Sequence, residues 1–263
     1  MIAAHGISDS SSTLTDNILD YLQTHEQEML HDLSEEVLQT LQKHCTPVAP
    51  GSEYALRFAR LTRDCTHVEG HAMRFHCFHG EPDAFAIASG DICFFTGLMD
   101  ILEDDELLFA VGHEIGHVVH EDVKLGMRAQ FAAEAAGRLV SLVMERFAIG
   151  SSSAGGLPKI LLGKLLRTAC KKLVRKLATS IVTGVTHICY SRIQEYDADA
   201  YGIRFLHARG LDPGAAAKAL DKLAGGYEAC FIEKWTSDHP DTPDRITRLY
   251  KLAVELTAQT ALR

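Results

Sequence analysis

The chain has 263 residues, 46% of them hydrophobic, enough for a sizeable core in one large domain or two small ones. Its net charge of −9 argues against nucleic acid as the main partner. Seven cysteines without a Cys-x-x-Cys pair fit a reduced compartment better than a disulfide scaffold, and their odd number leaves at least one thiol free or paired between chains.

Residues 1–12 are rich in serine and are expected to be disordered. They carry no basic start and no apolar run of signal-peptide length. As written, the sequence therefore predicts a cytoplasmic protein, or a periplasmic or membrane-associated one if it begins after its signal. No stretch reaches ~20 uncharged apolar residues, so no transmembrane helix is expected. From about Thr15 to His44, Ile18, Leu22, Met29, Leu33, Val37, Leu38 and Leu41 recur at helical steps. Thr46-Pro47 to Pro50-Gly51 breaks the pattern, which sets residues 1–50 apart as an N-terminal segment. Ser52 is placed to cap a second helix running to about Asp64.

Val68 to Phe95 reads as strands. Met73, Phe75 and Cys77 alternate, and the Ala84–Ala88 and Ile92–Phe95 runs flank a Ser89-Gly90-Asp91 turn, a hairpin signal. His67, His71, His76 and His79 fall close to Cys77 and suggest a second metal site. The strand period sends His76 to the opposite face from His71, His79 and Cys77, so solvated or hydrogen-bonded histidines are the default.

Leu107 to Asp122 carries His113-Glu114-Ile115-Gly116-His117. On a helix, residues four apart share a face, so His113 and His117 can offer neutral nitrogens to one Zn²⁺. Glu114 lies beside them and can take a proton from a water at the ion, the general-base layout of a zinc peptidase. Glu103 to Glu106 suit the positive end of a helix dipole, with Asp104 or Asp105 as cap. The surrounding apolar residues predict a helix buried nearly all round, where two histidines and a glutamate are costly unless paired. Two hydrogen-bonded core histidines are the plain alternative.

Lys124 to Phe147 reads as an alanine-rich amphipathic helix, and Gly150 to Gly156 as a flexible linker, a gating loop or an ordinary surface loop. Pro158 to Tyr190 is basic and lacks any acid, with Leu162, Leu166, Ala169, Leu173 and Leu177 along one side. A core-facing helix with a solvated basic face is the default reading. Peripheral contact of residues 158–178 with an anionic membrane is the sharper one.

A catalytic zinc needs a third protein ligand and an open position. The metzincin solution would need histidine where Val123 stands and glycine where His120 stands, so it is excluded. A carboxylate from a later helix is the other solution. Glu195 and Asp199, four apart in Ser191 to Gly202, supply it. Glu195 would ligate; Asp199 could accept the N–H of a ligand histidine. Solvated surface carboxylates are the plain alternative. Leu211 to Leu223 and Arg245 to Ala258 read as the closing helices.

These motifs resemble those of the M48 peptidases, the gluzincin group that includes the Ste24, HtpX and Oma1 proteases and soluble bacterial relatives. The resemblance spans roughly residues 50–250. It rests on Phe85 to Gly90 with Thr96-Gly97-Leu98, on Glu106 to His117, on Ser191-Arg192 to Asp199, and on His239-Pro240 with Arg245-Ile246. Asp83 departs from the asparagine common there. The resemblance implies zinc on His113, His117 and Glu195, with Glu114 as base. It also implies an α+β, mainly α-helical fold: a gluzincin core with a small mixed sheet beside the motif helix. An edge strand, either Phe85-Ala86-Ile87-Ala88 or Ile92 to Phe95, would pair with an extended substrate. His239 could stabilise an oxyanion, and Arg245 could hold acidic side chains near the site.

The expectation is a zinc metalloendopeptidase domain over residues 51–263, interrupted by the linker and basic helix at 150–190. It would hold one Zn²⁺ per chain and take protein or peptide substrates. The rival is a zinc-holding adaptor or chaperone-like binder without catalysis. Glu114 speaks against it, because a structural site needs no such carboxylate.

Overall fold

In a computed structural model, which describes residues 20–21, 23–87, 89–126, 128, 159–182, 190–225 and 242–261, the motif helix lies at the centre of a mainly α-helical α+β fold. Helix α1 (Glu26–His44) buries Met29, Leu30, Leu33, Val37 and Leu41 along one stripe. Helix α2 (Glu53–Thr62) starts where Ser52 predicts it, the serine oxygen accepting from the Ala55 N–H at 3.3 Å.

Five short strands come next. A two-stranded antiparallel ribbon joins β1 (His67–Val68) and β2 (His71–Ala72). A mixed sheet holds β3 (Arg74–Phe78), β4 (Ala84–Ala86) and β5 (Asp91–Phe95) in the order β3-β5-β4. β5 therefore lies in the middle, parallel to β3 and antiparallel to β4. This corrects Ile92 to Phe95 as a candidate edge: all five residues of β5 are buried, as expected of a strand covered on both sides. Gly90 turns the β4–β5 hairpin at φ 83°, with Ala72 O only 2.2 Å from where a Cβ would stand. Only glycine fits there. The Met73–Phe75–Cys77 alternation is also interrupted, since Met73 sits between β2 and β3. The histidine cluster is split over three strands and a loop, and His76 bonds to Asp91 at 2.7 Å.

Helix α3 (Thr96–Ile101) leads into the motif helix α4 (Asp104–Val119). Its N-cap is Glu103, not Asp104 or Asp105, and the Glu106 carboxylate accepts from the Glu103 N–H at 2.9 Å. Asp104 instead binds Arg57 and Arg60, each at 2.7 Å. Arg57 also donates to Met99 O and Leu102 O, fixing the turn into α4. Every residue from Glu106 to Val118 is buried.

The predicted helix 124–147 lies mostly outside the described residues, and the linker 150–156 wholly so. The basic segment is helix α5 (Lys159–Val182), packed along α1. Val174, Leu177 and Ala178 are buried, while Lys164, Arg167, Lys171, Lys172, Arg175 and Lys176 are exposed. Arg167 pairs with Glu28 at 3.2 Å and Arg175 with Glu36 at 3.8 Å. No helix among the described residues is long and apolar enough to cross a membrane. Helices α6 (Arg192–Ala208), α7 (Gly214–Gly225) and α8 (Thr242–Ala261) complete the fold against α4 and one another.

Candidate metal centre

Helices α4 and α6 meet through glycines. A Cβ on Gly112 would stand 3.0 Å from the Gly202 Cα, and one on Gly116 would stand 3.1 Å from the Ala198 Cα. Gly112 and Gly116 are four apart, so they line one face and let the two backbones close together. That approach brings the His113 and His117 side chains within reach of Glu195, one turn before Ala198.

The donors form a tight triangle. His113 Nε2 and His117 Nε2 are 3.1 Å apart, Glu195 Oε1 lies 3.4 Å from His117 Nε2, and Glu195 Oε2 lies 3.6 Å from His113 Nε2. Three donors bound to one zinc at tetrahedral angles stand about 3.3 Å apart, given bond lengths of about 2.0–2.1 Å. The donor set fits such an ion in spacing and in kind. All three residues are buried, and no other group of metal-competent residues of this kind occurs among the described residues.

Both imidazoles are turned by carboxylates behind them. His113 Nδ1 lies 3.0 Å from Asp199 Oδ1, and His117 Nδ1 lies 2.9 Å from Asp122 Oδ2. A proton on each Nδ1 leaves each Nε2 lone pair for an ion. Tyr190 stacks on the His117 ring, centroids 3.7 Å apart and planes 8° from parallel.

Arg245 ties the carboxylates together. It donates to Asp199 through Nε and Nη2, both at 2.7 Å, and its Nη1 lies 2.6 Å from Glu195 Oε2. Its guanidinium is fully buried. Burial works against ionisation of Asp199, but Arg245 and His113 outweigh it and hold the carboxyl down to about 2. Burial lowers His113 to about 4, against the pull of Asp199 and Glu195. It would lower His117 as well, but hydrogen bonds with Asp122 and Glu195 raise that ring to about 9, so an ion taking up Nε2 has to displace a proton from it. Glu114 is fully buried beside them, and its charge acts on both His117 and Arg245.

Of the residues singled out in the sequence, His113, Glu114, His117, Glu195, Asp199 and Arg245 come together in this cluster, and Asp197 is exposed outside it. Phe85 and Ala86 lie on β4 and Ile87 just beyond it. Ala88 and His239 lie outside the described residues. Sequence reasoning missed Asp122, Gln194 and Tyr190, and it missed the glycine face of α4. The last left a legible signal: two glycines four apart in an otherwise apolar helix.

The model of peptidase family M48 matches residues 67–253. The chain is 29% identical over 218 residues to the metalloprotease LoiP of Escherichia coli, an alignment covering 81% of this chain and 76% of that protein. It is 24% identical over 196 residues to the metalloprotease YcaL of the same organism, covering 74% and 68%. Among solved structures, Ste24p of S. mikatae aligns with 90% of this chain and 62% of its own, at 15% identity and a TM-score of 0.38.

Proposed function

The chain belongs to peptidase family M48 and is a metalloprotease, and from that premise we propose that it is a zinc-dependent endopeptidase with Glu114 as general base. One observation carries the reading: three buried donors 3.1–3.6 Å apart, with a fully buried glutamate next in sequence to the first. Zinc on His113, His117 and Glu195 would supply Lewis acidity toward the scissile carbonyl and acidify the attacking water.

The chain's own residues do the rest. Glu114 accepts a proton from the attacking water and returns it to the departing amine. Asp199 and Asp122 keep the histidine rings turned, and Arg245 holds Glu195 and Asp199 in place. His239 serves as a donor to the oxyanion in this reading.

The substrate lies extended against β4. Phe95 N–H bonds to Asp83 O and Ile87 N–H to Asp91 O, at 3.0 and 2.7 Å. Alternation along an antiparallel pair then turns the N–H and C=O of Ala84 and Ala86 away from β5, toward the side of β4 on which no other described strand pairs, although Ala84 and Ala86 are themselves buried. A peptide adding there would form main-chain bonds to Ala84 and Ala86, beside Phe85 and Ile87, while Ala88, the last residue of the expected edge, lies outside the described residues. The exposed basic face of α5 suits peripheral contact with an anionic membrane. Salt-sensitive co-sedimentation with anionic vesicles tests that contact.

Metal content by mass spectrometry, on wild type and Glu195→Ala side by side, tests the zinc reading. Near-stoichiometric zinc in the wild type, with clear loss in the variant, is expected. A folded wild type purified without chelators and lacking zinc would return the cluster to a set of core hydrogen bonds. A wild type that holds zinc but cleaves no unfolded protein would favour the non-catalytic zinc-holding adaptor.

A further inference from the structure

The two histidines are supported in different ways. Behind His113 stands Asp199, gripped by the buried guanidinium of Arg245. Behind His117 stands Asp122, whose second oxygen meets an amide instead. Asp122 Oδ1 accepts from the side chain of Gln194, Nε2 to Oδ1 2.9 Å. The other end of that amide caps α6, Gln194 Oε1 accepting from the Ser191 N–H at 2.8 Å. Ser191 Oγ in turn accepts from the Gln194 N–H at 3.3 Å. Tyr190, the residue before the cap, covers the face of His117.

We propose that Gln194 is a positioning residue for the second histidine: it orients Asp122, and through it His117, so that seating of this ligand depends on the chain entering α6 correctly at Tyr190-Ser191. The inference rests on the reading of His113, His117 and Glu195 as zinc ligands. Its physical content is a directed chain of hydrogen bonds. The Ser191 N–H donates to Gln194 Oε1, the Gln194 side-chain amide donates to Asp122, and Asp122 accepts the Nδ1 proton of His117. Each link fixes the polarity of the next, ending with the Nε2 lone pair facing the ion. The α6 entry is thus more than a boundary. It is where the chain beyond α5 comes back to the centre, and the relay puts that point in contact with a ligand.

One pair of variants separates this role from simple capping. Gln194→Glu keeps the size and the acceptor for the Ser191 N–H, so the helix cap survives, but it replaces the donor to Asp122 with an acceptor. Zinc affinity, measured by chelator competition, should fall by up to about tenfold, the low end of what loss of a ligand's own partner costs, because Gln194 acts one hydrogen bond behind Asp122. The Co²⁺ absorption spectrum should change in step, while circular dichroism stays that of wild type. Adding Asp122→Asn reverses the polarity: the new amide at position 122 can donate to the new carboxylate at position 194 and accept from His117 Nδ1. The double variant should recover most of the lost affinity, which a loss of packing or capping would not allow. Wild-type zinc affinity and cobalt spectrum in Gln194→Glu would overturn the proposal. So would a double variant no better than the single one. Wild type that binds no zinc would overturn it together with the site reading. Wild type that loses zinc in Glu195→Ala but keeps it in Gln194→Glu overturns this proposal alone.

Discussion

Arg245 and Asp199 form a two-pronged ion pair, Nε to Oδ2 and Nη2 to Oδ1 both 2.7 Å, in which the guanidinium is wholly shielded from water. The same guanidinium holds Glu195 at 2.6 Å. Removing one partner of a buried pair leaves charge without compensation, which costs about 3–5 kcal/mol. Arg245→Ala should therefore lose about that much stability in urea unfolding, because Glu195 and Asp199 would face each other across a cavity. Zinc at the proposed site would bring positive charge to the same carboxylates, so saturating zinc should shrink the loss. Equal losses with and without zinc would mean that the arginine only packs. Arg245→Lys keeps the charge but not the fork and should fall between the two.

Glu114 and His113 are neighbours in sequence with separable duties in the proposed reaction. Glu114→Gln keeps the shape and removes the base. Zinc content should match wild type while turnover of an unfolded protein substrate drops about 10²–10⁴-fold or more. His113→Ala should lose zinc and turnover together. Retained turnover in the first variant, or full zinc in the second, would contradict the corresponding assignment.

Much of the centre is legible in the sequence because helical geometry is stiff. Residues 113 and 117 must share a face, as must 195 and 199, and the surrounding apolar residues require burial. What periodicity does not carry is anything outside a regular element. Asp122 lies beyond the end of α4, after Glu121 at φ 58°, and that turn aims its carboxylate back at His117. No repeat predicts such a turn. Likewise Ala84–Ala86 and Ile92–Phe95 are both short apolar runs, and which becomes the edge depends on β3 pairing with β5 across intervening chain. Arg245 shows the opposite case: residue type alone would put an arginine on the surface, the family resemblance marks it as a holder of acidic side chains, and its partners 46 and 50 residues earlier explain its burial.

Asp91 offers a pH test away from the centre. It is buried at the start of β5, where burial works against its charge but hydrogen bonds from His76, Arg74 and Ser89 hold the carboxyl far below its usual range. The folded protein thus binds fewer protons at this site than the unfolded chain, whose Asp titrates at about 3.9. Stability from this group is fully present above that value and is lost as pH falls toward the folded one. Asp91→Asn should cost about 2 kcal/mol at pH 7. The gap between wild type and variant should be the same at pH 7 and pH 5 and should narrow at pH 3, below the unfolded value. A gap that stays constant across that range would show that the charge is not what stabilises this corner.

Gly116 sets two effects against each other. Alanine in place of glycine in a helix interior gains about 1 kcal/mol in intrinsic propensity. Against that, the new methyl would stand 3.1 Å from the Ala198 Cα and 3.1 Å from the Tyr201 Cβ, both held by the backbone of α6. Overpacking of a close helix contact costs about 1–3 kcal/mol, and neither neighbour can swing aside. The second effect should win, giving net destabilisation of up to about 2 kcal/mol. The shift needed to admit the methyl moves α6 away from α4, and Glu195 travels with it while His113 and His117 stay. Zinc affinity should therefore fall further than stability alone accounts for. Measuring chelator competition and urea unfolding on the same preparation separates the two. Lower stability with wild-type zinc affinity would mean that the glycine face shapes the core without setting the distance between the ligands.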